Sequence, residues 1–156
     1  MADAAQDSAV AVNPADVRLA AMNLLARREH ALGELRTKLA RRFPDRARVE
    51  EQLQILREEN LQSDQRFAES FARQRVTRGQ GPQRIRMELR QRDIPGDLVE
   101  SALAATEADW SALAKEVLSR KFGDGPPADT RDKARRLRFL QYRGFEADHY
   151  RALFLD

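Results

Sequence analysis

RFAESFARQRVTRGQGPQRIRMELRQRDI, residues 66–94, carries apolar side chains at helical spacing on both sides of a Gly79-Gln80-Gly81-Pro82 corner. Phe67, Phe71 and Val76 form the stripe before the corner, and Ile85 and Leu89 form the one after it. The corner therefore joins two helices, with Pro82 at the first position of the second, where a missing N–H is harmless. It lacks the G-K-[ST] ending of a phosphate loop and follows a helix instead of a strand, so it reads as punctuation. Around it stand eight arginines, at 66, 73, 75, 78, 84, 86, 90 and 92, and no lysine. Either these solvate two ordinary helices or they hold something anionic.

Outward from this stretch every long segment has the helical period, and no alternating strand pattern occurs. Asn13-Pro14 opens a first helix, Ser63 caps the helix through Phe67, and Asp129 or Thr130 precedes a further basic helix. The segments also resemble one another. Leu25, Phe71 and Leu118 lie 46 and 47 residues apart, and Leu39, Leu89 and Leu140 lie 50 and 51 apart. A period of this size with three helices per unit predicts stacked modules. The expected fold is all-α, an elongated curved array of three tandem three-helix repeats. Its parts are an acidic disordered tail over 1–13 and repeats over 14–60, 61–107 and 108–156.

With 156 residues, 42% hydrophobic and 34% charged, the chain suits soluble helices with long polar faces. No apolar run approaches the ~20 residues of a membrane span. The N-terminus is acidic, without the basic region of a secretory signal. The absence of cysteine removes thiol chemistry and fits a reducing cytoplasm. His30 and His149 are far apart, each expected at a helix end or the surface, and no metal-ligand spacing or catalytic set occurs. An enzyme is the weakest class, and no cofactor is implied. The phenylalanines and Trp110 fall mostly on apolar stripes and read as core, not as stacking platforms.

Of 28 basic residues 24 are arginine. A GC-rich genome would raise that count but would not sort it. Residues 27–48 hold eight bases and three acids, 66–92 eight and two, 131–143 six and one. The third helices take the acids Glu50, Glu51, Glu58, Glu59, Asp97, Glu100 and Glu107. This in-phase sorting predicts one basic and one acidic edge. The candidate partner-binding residues are Arg66, Arg73, Arg75, Arg78, Arg84, Arg86 and Arg90, followed by Arg135, Arg136 and Arg138. Positions i and i+2 of a helix face different ways, so these cannot all point to one partner. Arg66 and Arg84 have an alternative task in ion pairs with Asp64 and Glu88.

The run from Ser63 to Ile94 resembles the signature of the RecX family of bacterial regulatory proteins. The matching positions are Asp64, Arg66, Phe67, Ala68, Phe71, Arg75, Gly79, Gly81, Pro82, Arg84, Ile85, Glu88, Leu89 and Ile94. "REHALGELRTKL" is similar to that family's N-terminal pattern at Arg28, His30, Glu34, Leu35, Lys38 and Leu39, and the likeness covers about residues 18–155. Three positions depart from the pattern: Ser63 for an acid, Ala31 for a serine, and Asp93 for a glycine, which puts an aspartate at a left-handed turn.

The resemblance implies a non-enzymatic modulator of the RecA recombinase. Such a protein binds along the groove of the RecA–single-stranded-DNA filament and suppresses ATP hydrolysis and strand exchange, which affects recombination, DNA repair and the SOS response. The residues alone leave two other readings open. One is a monomeric protein that binds single- or double-stranded DNA without RecA, and the other is a scaffold whose arginines are merely solvated.

Overall fold

The computed structural model describes residues 12–155. The tail expected over 1–13 lies outside the described residues except for Val12 and Asn13. All regular structure among the described residues is helical, as the periodicity predicts. The chain forms two compact units, one up to Ser63 and one from Asp64 onward.

The first unit holds α1 (Pro14–Arg27), α2 (Leu32–Arg42) and α3 (Arg46–Glu58). The Asn13 side chain accepts a hydrogen bond from the Ala15 amide at 3.0 Å, and Pro14 sits in the first turn, so α1 begins where its cap residues dictate. Asp45 caps α3 in the same way through the Arg48 amide. Both α1 and α2 pack on α3. Val17, Ala21, Leu35, Leu39, Val49, Leu53 and Leu56 close the core between them. Each large apolar side chain removed from water contributes about 1.5–3 kcal/mol.

His30, expected at a helix end or the surface, precedes α2 but is only 2% exposed. Its Nδ1 lies 3.0 Å from the Arg28 carbonyl and its Nε2 lies 3.0 Å from Lys38 Nζ. The geometry fits a neutral ring that donates through Nδ1 and accepts from the ammonium. Arg28 grips Glu34 with two bonds of 3.2 and 2.8 Å, and Glu34 accepts from the Ala31 amide. That carboxylate takes over the capping that alanine cannot provide.

In the second unit α4 (Asp64–Thr77), α5 (Pro82–Gln91) and α6 (Gly96–Ala105) repeat the arrangement. So do α7 (Trp110–Phe122), α8 (Thr130–Tyr142) and α9 (Ala147–Tyr150), the last extended by a 3₁₀ turn over Arg151–Phe154. The repeat anchors Leu39, Leu89 and Leu140 are all buried. Left-handed residues mark equivalent helix ends: Gly79 and Gly123 after the first helix, Asp93 and Gly144 after the second, Asn60 and Glu107 after the third. Asp93, at φ +58°, does occupy the left-handed turn that its place in the sequence predicts.

Candidate interaction surface

The G-Q-G-P corner is where α4–α5 meets α7–α8. The Gly81 amide donates to the Arg143 carbonyl at 2.7 Å and the Gln83 amide to the Gly144 carbonyl at 3.0 Å. Two amides at the start of α5, those of Gly81 and Gln83, are thus already bonded to backbone instead of being open to an anion. A Cβ on Gly81 would lie 2.5 Å from the Gly144 carbonyl atoms, and one on Gly144 would lie 2.4 Å from Arg84 Cβ. At Gly79 a Cβ would lie 2.6 Å from Val117. These glycines let two backbones touch. The corner is a seam between two backbones, with the Gly81 and Gln83 amides spent on it.

The arginines beside the seam have internal partners. Glu88 sits between Arg84, whose Nε donates to Oε1 at 3.1 Å, and Arg75, whose Nε lies 3.1 Å from Oε2. The Arg75 contact is a charge pair without the alignment of a hydrogen bond, since both atoms are buried and otherwise unbonded. Arg75 and Arg92 both stack on the Phe71 ring, at 4.5 and 4.7 Å. Burial lowers the proton affinity of Arg75, which Glu88 opposes and Arg78, Arg92 and Arg84 reinforce. Arg84 is pushed the other way by its hydrogen bond to Glu88. Arg86 donates to Glu100 at 2.7 Å and to Glu146 at 3.2 Å, and these bonds raise its proton affinity. Glu146 also accepts from Gln83 Nε2 at 2.9 Å, so one carboxylate ties α5 to the turn before α9.

Arg36–Glu50 in the first unit is the counterpart of Arg86–Glu100, each position 50 residues earlier. The expectation of separate basic and acidic edges is corrected here. The second helix and the third helix face each other closely enough for their charges to pair within these modules. In the last module the counterparts are Leu137 and Arg151, so the pair has no equivalent.

The sequence-predicted residues therefore fall into distinct environments. Arg75, Arg84 and Arg86 hold carboxylates as above, and Arg66 is half-buried near the start of α4. Arg73, Arg78 and Arg90 are exposed, with no carboxylate in ion-pair range among the described residues. On α8, Arg135 and Arg138 are exposed, but Arg136 is buried. Its guanidinium meets Asp132 at 3.2 Å, donates to the Gly125 carbonyl at 2.8 Å and lies over the Phe122 ring. The repeat register explains this, because Arg136 occupies the position of Leu35 and Ile85, both fully buried. The Leu39/Leu89/Leu140 anchors already contained that signal.

Sequence reasoning overlooked two residues of α8. Arg131 is exposed, and Tyr142 is 73% exposed with the Arg84 guanidinium 4.8 Å over its ring. Arg131, Arg135, Arg138 and Tyr142 follow the spacing i, i+4, i+7, i+11 and form one outward stripe.

Capped three-helix modules, a glycine seam between two of them and a split between tied and free arginines define an all-α protein with a cationic face. Residues 63–103 match the pattern of the RecX second three-helix domain and residues 107–153 that of the RecX third three-helix domain. The chain is 52% identical over 136 residues to a regulatory protein RecX of Halorhodospira halophila (strain DSM 244 / SL1), covering 87% of this chain and 84% of that protein. It is 45% identical over 141 residues to one of Pseudomonas entomophila (strain L48), covering 90% and 91%. A crystal structure of regulatory protein RecX superposes with a TM-score of 0.72 at 25% identity, over 88% of this chain and 71% of that one. The structure of RecX from Lactobacillus salivarius has the same fold, with a TM-score of 0.71 at 22% identity over 89% and 92%. The chain belongs to the RecX family of regulatory proteins. Among the described residues no helix is long and apolar enough to cross a membrane.

Proposed function

We propose that this protein is a non-enzymatic regulator of the RecA recombinase. It binds the RecA–single-stranded-DNA filament as a monomer, suppresses ATP hydrolysis and strand exchange, and so modulates recombination, repair and the SOS response. Family membership over most of the chain carries this reading. The exposed guanidiniums of Arg73, Arg78, Arg90 and Arg138 support it, because they are free to meet phosphates or carboxylates of a partner. Arg75, Arg84, Arg86 and Arg136 have charge partners of their own and contribute mainly by bracing their own modules, with Arg84 and Arg86 also reaching across the seam to Tyr142 and Glu146. The test is RecA's DNA-dependent ATP hydrolysis titrated with this protein. The expected result is inhibition below one molecule per RecA protomer. Hydrolysis and strand exchange that stay unchanged at saturation would sink the proposal.

A second reading, direct nucleic-acid binding without RecA, is favoured by Arg131 and Arg138, which have no acidic partner among the described residues. Affinity that falls steeply with salt is its signature.

A further inference from the structure

The exposed stripe of α8 combines cations with one aromatic ring whose surroundings are unlike those of the other aromatics. All seven phenylalanines are at least half-buried, Trp110 is half-buried and Tyr150 is 5% exposed, whereas Tyr142 is 73% exposed at the end of α8. Tyr142 is not loosely placed. Its ring lies beneath Arg84, which is held by Glu88 at 3.1 Å and reaches the Tyr142 carbonyl at 3.4 Å. Arg84 comes from α5, across the glycine seam, so the ring is braced by a second module. A guanidinium near one face leaves the rest of the ring to solvent.

Arg138, one turn before Tyr142, shares its side of the helix, and Arg135 and Arg131 continue that side toward the helix start. The stripe spans about 16 Å along the axis. Asp132, the lone acid of α8, does not neutralise it: its side chain is 15% exposed and is committed to Arg136, Arg135 and the Ala128 amide. Arg135 is still 67% exposed while paired. A row of guanidiniums that ends in a braced aromatic ring has the two components that single-stranded nucleic acid needs. Phosphates track the cations and an unstacked base lies on the ring. A duplex offers no free base to the ring, and an acidic peptide gains nothing from it.

We infer that α8 is a single-stranded nucleic-acid subsite, with Arg131, Arg135 and Arg138 on the phosphates and Tyr142 stacking a base. This deepens the nucleic-acid reading above and rests on it. The experiment uses the full-length protein without RecA and a fluorescein-labelled oligothymidylate of fifteen nucleotides, read by anisotropy across a salt series.

Tyr142→Ala should weaken binding about tenfold with the salt slope unchanged. Tyr142→Phe should bind like the unaltered protein, and Tyr142→Leu, which keeps the bulk but not the π-face, should behave like the alanine variant. Arg138→Ala should reduce the salt slope by about 0.7. Affinity for a fifteen-base-pair duplex should be the same for the unaltered protein and Tyr142→Ala. Because Tyr142 is exposed, the Trp110-monitored unfolding of each variant should match that of the unaltered protein. If Tyr142→Ala bound the oligonucleotide as tightly as the unaltered chain, or lost duplex binding equally, the stacking inference would be overturned and the nucleic-acid reading would stand. If the unaltered protein bound no oligonucleotide at low salt, the reading itself would fall, and RecA inhibition would still be decided by its own assay.

Discussion

The second helices α5 and α8 occupy the same place in their modules and are both rich in arginine, yet the two sets of guanidiniums are engaged differently. On α5, Arg84 and Arg86 are tied to Glu88, Glu100 and Glu146. On α8, Arg131 and Arg138 have no acid within reach among the described residues, and Arg135 uses only Asp132 of its own helix. The register separates the two sets: Arg86 meets Glu100 of α6, but its place on α8 is taken by Leu137, and Arg138 falls at the place of the exposed Met87. Arginine content alone therefore does not make a binding face. What matters is whether a neighbouring helix already provides the counter-charge.

The sharpest way to break this comparison is at the seam. Gly144→Ala would force a Cβ to within 2.5 Å of the Arg84 backbone nitrogen at a residue with φ +96°. It should cost about 3 kcal/mol or more, with the unfolding midpoint falling by roughly 10 °C. The sole tryptophan, Trp110, reports this through its emission. An unchanged midpoint would mean that the modules do not meet through their backbones.

Glu88→Gln comes next. It leaves Arg75 and Arg84 facing each other without the carboxylate between them, at an expected cost of about 2 kcal/mol. Added salt should relieve part of this loss. A midpoint that ignored both the substitution and the salt would contradict the structural role given to the α5 arginines.

The first module offers a milder contrast, since α2 ties its cation Lys38 to the neutral His30 ring. Burial lowers the proton affinity of that ring, Arg28 and Lys38 lower it further, and the Arg28 carbonyl and Glu34 oppose them. The folded value thus lies below the unfolded value of about 6.5. The associated stability is fully present above that pH and declines as pH falls through the window below it, by at most about 1.4 kcal/mol per pH unit. Helix content followed through denaturant titrations at several pH values should show the decline for the natural chain and not for His30→Asn. Parallel curves would refute it.

Arg136→Leu should have the smallest effect, a midpoint within about 1 kcal/mol of the natural chain. It restores the apolar residue found at Leu35 and Ile85, and Asp132 keeps Arg135 and the Ala128 amide as partners. A loss of stability well beyond that would show that the buried charge specifies the α7–α8 loop.

The helices and their repeat were legible because apolar spacing and capping residues act locally. Leu39, Leu89 and Leu140 are buried at matching positions, and Asn13, Pro82 and Asp129 open the helices they were expected to open. The seam was not legible, because Gly81 and Gly144 lie far apart in sequence and only tertiary packing brings them together. Arg136 was misjudged for a different reason. Its neighbours Arg135 and Arg138 set the charge of the segment, while the register that turns it inward comes from another repeat. Tyr142 became visible only with Arg84 above it, a contact made between modules.

The division of arginines is tested most directly by RecA's ATP hydrolysis on single-stranded DNA, titrated with the natural chain and with an Arg131→Glu/Arg138→Glu variant. The natural chain should inhibit below one molecule per RecA protomer, and the variant, folded alike, should require about tenfold more. A variant that inhibits as well as the natural chain would contradict the division into tied and working arginines.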